Sequence, residues 1–431
     1  MSASVVKNRG WMVTFAGMGI NLALGILYTW SIFKGAIKES IEKGGEGAFN
    51  WAAASLNDPY AVCCIVFAFS MILAGRCQDK LGPRITALMG GLMVGIGFTW
   101  ISTTTSYAAW VMGFGVLAGT GIGFGYSSAT PPALKWFPPA KTGLIAGLVV
   151  SGFGLASLYI APLSKYLVGA WGLQKAMLFF GLSFLVVVCG LSLLLINPPK
   201  DYVPQQNPAP GKDVKAKPAA AQRDKTASEM MKTVTFWKLW FIYFIGAGAG
   251  LMVISSVADM AKASMGEAAF VAVAIMAVGN AGGRIIAGAL SDKIGRNTTL
   301  IIMLLFQSLL MFACIAVMGS ANASAIILVL LATFIGFNYG TNLSLFPSIT
   351  KDLWGLKNFG LNYGFVFTAW GVGGFVMSRI YQMLKTSTGS STSPFILAGV
   401  LLILGAAITV TLKRAEKNES AVRLGGLKRA A

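Results

Sequence analysis

Arg284 is the one basic residue set deep inside a long apolar stretch, in Met276-Ala277-Val278-Gly279-Asn280-Ala281-Gly282-Gly283-Arg284. On a helix it would stand about 12 Å from Asp292, which closes the stretch. A guanidinium at that depth in lipid costs at least about 2.5–3.5 kcal/mol unless it faces a polar cavity or a partner. None of the fifteen acidic residues sits at its depth: Asp58, Asp259 and Glu267 lie near the outer ends of apolar runs, and the rest lie in loops, termini or a linker. An unpaired guanidinium facing a cavity is a receptor for an anion, because its planar fork can donate two charge-assisted hydrogen bonds to one carboxylate. Asn280, one helical turn earlier on the same face, is placed to bond the anion or to hold the arginine. The competing reading is a structural arginine bonded to backbone carbonyls.

The elements that must hold such a side chain are membrane-crossing helices. Hydrophobic residues make up 55% of the 431 and charged residues 11%, with a mean hydropathy of +0.70; a soluble domain carries roughly 25% charged residues. A hydrocarbon core of ~30 Å takes about 20 apolar residues per helix. The sequence supplies twelve such runs, at 11–33, 54–75, 84–103, 107–130, 142–166, 173–196, 235–258, 267–290, 298–318, 322–346, 359–384 and 394–412. The predicted fold class is therefore an all-α membrane protein of 12 transmembrane helices. The first run ends in a charged loop rather than a small-residue cleavage site, which argues against a removable signal peptide.

A net charge of +19 would suit nucleic acid, but its distribution fits a topology instead. With both termini on the cytoplasmic side of an inner membrane, 25 of the 34 lysines and arginines fall on that side, as the positive-inside rule requires. The five cysteines lie in or at the ends of apolar runs, without metal-ligand spacing and in a chain lacking histidine; no metal or other cofactor is expected. No nucleophile and base share one depth, so an intramembrane enzyme is the least favoured class. Glycine strings such as Gly119, Gly121, Gly123 and Gly125 lie inside an apolar run with no preceding strand, and read as close helix packing rather than a phosphate cradle.

Residues 197–234 interrupt the pattern with six prolines, an alanine run and scattered lysines. They divide the chain into an N-terminal six-helix half (1–196), a cytoplasmic linker (197–234), a C-terminal six-helix half (235–412) and a cytoplasmic tail (413–431). The halves echo one another as pseudo-repeats. Gly75, Asp79 and Gly82 recur 213 residues later as Gly288, Asp292 and Gly295, and Gly123-Phe124-Gly125-Tyr126 recurs as Gly336-Phe337-Asn338-Tyr339. Parallel repeats of this kind are a transporter signature.

Gly75-Arg76-Cys77-Gln78-Asp79-Lys80-Leu81-Gly82-Pro83-Arg84, echoed by Ser291-Asp292-Lys293-Ile294-Gly295-Arg296, resembles the loop signature of the major facilitator superfamily. The glycines permit a tight turn and close helix approach, while Asp79, Arg84, Asp292 and Arg296 can pair across a gate that opens and closes. Within that superfamily the chain is similar to the branch of monocarboxylate porters and oxalate–formate exchangers. The supporting segments are Tyr28-Thr29-Trp30-Ser31, Trp136-Phe137-Pro138, Leu144 to Gly147, Leu345-Phe346-Pro347-Ser348 and Asn362-Tyr363-Gly364. Where animal porters carry a proton-coupling aspartate this chain has Asn280, and where the oxalate exchangers carry a lysine it has Trp370.

The resemblance implies the major facilitator fold, with Tyr126 and Tyr339 on opposite sides of a central cavity; packing between helices is the alternative for each. Tyr28, Phe367 and Trp370 are further wall candidates, against lipid-facing or core packing. With a single cation a dianion would leave one charge unpaired, so a monoanion is the better match. The expected function is secondary transport of small monocarboxylates such as L-lactate or pyruvate, by alternating access with proton symport. The partners are then the anion, a proton and the lipid bilayer, and no nucleic acid. Asp58 and Asp259 are the candidate proton acceptors, unless they merely start or end helices. An organic-anion exchanger without proton coupling, and a carboxylate sensor that does not transport, stay open as alternatives.

Overall fold

The computed structural model describes residues 7–199, 202–204, 224–265, 269–318, 324–390 and 392–429, with side chains described except at 255–265, 269–273, 318 and 413–429. Among the described residues run twelve long helical rods, and no strand. They are α1 Gly10–Lys43, α2 Asp58–Leu81, α3 Pro83–Ile101, α4 Tyr107–Trp136, α5 Thr142–Trp171, α6 Leu173–Ser192, α7 Val234–Met265, α8 Ala269–Ile294, α9 Arg296–Met318, α10 Ala325–Trp354, α11 Phe359–Thr388 and α12 Thr392–Arg429. Eleven are long and apolar enough to cross a membrane. The exception is α11, whose polar and small residues (Asn362, Tyr363, Gly364, Thr368, Gly371) are turned into the bundle, where they are largely shielded by neighbouring helices.

Several helices outrun their apolar stretches. The predicted first span stops at residue 33, whereas α1 continues to Lys43 as an amphipathic extension carrying exposed i, i+4 pairs between Lys38 and Glu42 and between Lys43 and Glu39. Such pairs sustain a helix outside lipid, where hydropathy no longer marks it. α1 also tightens to a 3-10 turn at Gly25–Thr29, where a Cβ on Gly25 would collide with Ala156 of α5. That crossing turns Tyr28 toward the centre of the bundle.

The helix pairings repeat after six helices. α1 lies on α5, α2 on α4 and α3 on α6; correspondingly α7 lies on α11, α8 on α10 and α9 on α12. The two main contacts between halves, α5 with α8 and α2 with α11, exchange under the same shift. This is the pseudo-two-fold arrangement expected of parallel repeats. Glycine supplies both its turns and its crossings. Gly82 and Gly295 each form the single-residue turn between successive helices, at φ 87° and 92°, a region that L side chains avoid. We call the end of the bundle that carries these two turns the loop end.

At the crossings between halves, a Cβ on Gly75 would meet the backbone of Gly360, one on Gly288 the carbonyl of Gly143, one on Gly364 the carbonyl of Met71, and one on Gly147 the carbonyl of Arg284. Small residues let membrane helices approach to backbone contact. From the loop end toward the middle of the bundle, the halves are therefore pressed together along two glycine-lined seams. The descending end of the linker is stapled beside one of them. Lys225 donates its N–H to the Trp354 carbonyl, its own carbonyl accepts from Asn358 and Asn362, and Asp224 accepts from the Lys357 N–H. A one-turn helix, Ala227–Met231, follows, closed by a capping box between Thr226 and Glu229.

Replacing Gly147 by Val should destabilise the fold by about 1–3 kcal/mol through overpacking against the Arg284 backbone. Gly190→Ala, at a position with nothing within 4 Å, should be neutral or slightly stabilising. Thermal unfolding of the two variants in detergent checks the difference.

Candidate functional site

Arg284 is completely buried in the middle of α8. Its Nε donates to Asn280 Oδ1 at 3.1 Å, one turn back on the same helix. Its Nη1 donates to the Val150 carbonyl of α5, so the guanidinium bridges the two halves. Gly147 and Gly154 make this reach feasible: side chains there would strike the Arg284 carbonyl and approach Arg284 Nε. Among the described residues no carboxylate pairs with Arg284, and its Nη2 is buried with no hydrogen-bond partner in the protein. The arginine thus satisfies part of the alternative reading, a bond to backbone carbonyl, while keeping one arm of its fork free. A buried donor left unsatisfied costs about 1–3 kcal/mol, and more when charged, which is a strong reason to expect an acceptor there when the protein works.

Near the guanidinium, whose charge acts on Tyr126, Tyr243 and Tyr339, stands an aromatic cluster. Trp370 Nε1 donates to Tyr339 Oη at 2.9 Å, and Tyr339 Oη lies 3.4 Å from Tyr28 Oη. Trp370 stacks on Phe367 at 5.0 Å, and Phe67 of α2 packs against both. Tyr126, on α4, packs edge-on against Phe67 and Phe153 and tilts against Phe367. The structure accordingly brings Arg284, Asn280, Tyr28, Tyr126, Tyr339, Phe367 and Trp370 to one region.

Four residues of that region were not among the site candidates that the sequence offered: Phe67, Phe153, Tyr243 and Tyr363. Tyr243 and Tyr363 are buried like Tyr126, and the hydroxyls of all three meet strict hydrogen-bond geometry with no described residue, though Tyr363 lies within reach of the other two. The Asn362-Tyr363-Gly364 segment was visible as a resemblance. Only the rotation of α11 shows that its tyrosine faces inward and its asparagine clasps Lys225.

Asp58 is elsewhere. It opens α2, where it accepts a hydrogen bond from Tyr107 Oη at 2.7 Å, in the position of an ordinary acidic first-turn residue. Asp259 falls outside the described side chains.

The motif carboxylates of the loop end form a matched pair of caps. Asp292 accepts from the N–H groups of Gly143 and Leu144 at 2.8 and 2.9 Å, at the start of α5. Asp79 accepts from the N–H groups of Gly360 and Leu361 at 3.0 and 2.9 Å, at the start of α11. Each carboxylate therefore holds a helix N-terminus of the opposite half, where the helix dipole and free N–H groups favour an anion. Arg296 ties Asp292 (2.6 Å) to Asp352 of α10 (2.9 Å), and Lys351 reaches across to Thr142. Arg84 does not mirror Arg296; it is exposed and has no ion pair among the described residues. The 213-residue offset explains why, because it sets Pro83, not Arg84, opposite Arg296.

Two six-helix halves related by a pseudo-two-fold axis, meeting around a buried polar centre, define the architecture of a multi-pass membrane transporter. The description of the Major Facilitator Superfamily matches residues 10–378 and again 263–429. The chain belongs to that superfamily. Its relatives include the oxalate:formate antiporter of Oxalobacter formigenes, 28% identical over 96% of this chain and 94% of that protein. Monocarboxylate transporter 13 of Rattus norvegicus is 25% identical over 94% of this chain and 89% of its own length. In fold the chain is similar to the solved proton:xylose symporter XylE, with a TM-score of 0.70 at 13% identity, covering 94% of this chain and 96% of that one.

The caps carry a direct expectation. Asp292→Asn keeps the shape and removes the charge at the start of α5, costing about 1 kcal/mol. A cysteine placed at Leu144, with the native cysteines replaced, should then react about fivefold faster with a polar maleimide supplied at the loop end. An unchanged rate would show that the cap does not hold this seam closed.

Proposed function

We propose that the protein is a secondary transporter of small monocarboxylates, L-lactate or pyruvate-like, working by alternating access in the cytoplasmic (inner) membrane with both termini inside. The observation that carries this reading is Arg284: buried in the bundle, unpaired with any described carboxylate, and holding one guanidinium nitrogen without a partner. The relatives named for monocarboxylates and for oxalate and formate support the substrate class. A monoanion neutralises the single cation, lowering the cost of passing through an occluded state.

In this mechanism the halves, 1–196 and 235–412, rock about the site, with Asp79, Asp292, Arg296 and the close crossing at Gly75 latching the cytoplasmic gate. Arg284 takes part in both events. Its bond to the Val150 carbonyl spans the α5–α8 seam. A carboxylate that draws the guanidinium toward Nη2 competes with that bond, so substrate binding and release of the seam are linked. The phenols of Tyr126 and Tyr339 orient the anion, while Tyr28, Phe367 and Trp370 exclude water. Proton symport requires an acceptor at the mouth opposite the loop end, and Asp58 and Asp259 are the candidates.

A second reading is exchange of organic anions without proton movement. It is favoured by Asn280, an amide that cannot titrate, as the side chain holding Arg284. Uptake of labelled L-lactate into proteoliposomes separates the two. Accumulation driven by an inward proton gradient supports symport, whereas uptake only against preloaded anion supports exchange. In either case Arg284→Ala should lower uptake by about a hundredfold while the variant still inserts and elutes as the wild type does. Near-normal uptake by that variant would remove the site from Arg284.

A further inference from the structure

We propose that Tyr243 and Tyr363 are specificity residues of the Arg284 site, binding with Tyr126 the oxygen carried on C2 of a short 2-oxo or 2-hydroxy monocarboxylate. The proposal rests on the reading of Arg284 as the carboxylate receptor and assigns the part of the substrate that the arginine does not hold.

The three phenols come from α4, α7 and α11, and all pack against one ring, Phe367, with centroids 5.4, 6.3 and 5.7 Å away. Tyr243 is further fixed by stacking on Phe346 at 3.9 Å, and Tyr363 by stacking on Phe359 at 5.7 Å. Tyr126, Tyr243 and Tyr363 are 3%, 0% and 4% exposed. Tyr363 Oη lies within hydrogen-bond reach of both Tyr126 Oη and Tyr243 Oη, and none of the three meets strict hydrogen-bond geometry with any described group. The Arg284 charge is felt at Tyr126 and Tyr243. Tyr339 differs: its oxygen is already engaged by Trp370. The polar capacity that no described residue outside this cluster meets is thus Arg284 Nη2 plus three clustered phenols on three helices.

A simple monocarboxylate matches that set poorly. Its two oxygens offer about four lone-pair sites, but all of them sit on the one carbon that the guanidinium anchors, whereas the phenols come from three helices and cluster about Phe367. An oxygen on C2 adds an acceptor beside the carboxylate, on the side away from the arginine. A phenol can donate to a 2-oxo group, and it can donate to or accept from a 2-hydroxy group, so one cluster serves both. Rings wedged against Phe367 lose little further freedom when they bind. A site built to hydrogen-bond a substrate oxygen rejects the analogue lacking it far more strongly than a pocket reading size alone.

The test compares L-lactate, pyruvate and propionate, the last lacking the C2 oxygen, as labelled substrates in proteoliposomes. The proteins are the wild type, Tyr243→Phe, Tyr363→Phe, the double variant and Arg284→Ala. The wild type should favour L-lactate over propionate by about tenfold or more. Each single variant should narrow that ratio, and the double variant should bring it near parity while keeping propionate uptake. An unchanged ratio in the double variant, or equal loss of both substrates, overturns the assignment of specificity while leaving Arg284 as the receptor. Full uptake by Arg284→Ala, or no uptake of any of the three acids by the wild type, overturns the receptor reading itself and this proposal with it.

Discussion

A guanidinium with no carboxylate partner among the described residues, held in the middle of a bundle of membrane-crossing helices, is the constraint to which the rest of this structure answers. Arg284 is shut away from solvent in this conformation, and its guanidinium offers five N–H donors and no acceptor. The protein meets part of its demand with Asn280 on the same helix and with the Val150 carbonyl on the facing one. The second depends on the absence of side chains along α5: with larger residues at Gly147 and Gly154 the helices could not approach closely enough for a backbone carbonyl to meet the arginine. What remains unmet is Nη2, buried among helices that also carry the clustered phenols of Tyr126, Tyr243 and Tyr363.

The same seam that carries the arginine ends in one of the carboxylate caps. Asp292 lies two turns beyond Arg284 on α8 and holds the start of α5, and Gly143 and Gly288 make backbone contact beside it. A single pair of helices therefore joins the polar centre to the loop end. On the other side of the pseudo-axis, α2 and α11 repeat the cap through Asp79 but carry no arginine at depth. There α11 presents Tyr363, Phe367 and Trp370 instead. The two seams are symmetric in how they close and asymmetric in what they bring to the centre. Gene-repeat architecture permits that division, since each copy of a helix needs to keep only its packing face.

Much of this was legible in the sequence, for reasons specific to each residue. Arg284 stood out because charge is rare and costly in an apolar run, and Asn280 because helical spacing ties it to Arg284. The repeat offset made Asp79 and Asp292 a pair, though it could not say that each would cap a helix of the other half rather than bridge to a basic partner; that contact depends on tertiary packing. Arg84 illustrates the limit: the resemblance of its loop to the superfamily signature suggested a gate cation, but the turn leaves it in the open. Tyr243 and Tyr363 were invisible as site residues, because an aromatic in a membrane helix suits lipid, packing and cavity alike, and hydropathy does not fix helix rotation. The amphipathic end of α1 was missed because its helix is held by ion pairs rather than by apolar content.

The most direct measurement is calorimetric titration of L-lactate into the detergent-purified protein and into an Arg284→Met variant of matched thermal stability. The account requires saturable binding by the wild type and none by the variant, because the methionine fills the space without offering a charge to the carboxylate. Binding of equal affinity in both proteins would contradict it, and would return Arg284 to the role of a structural tie between α5 and α8.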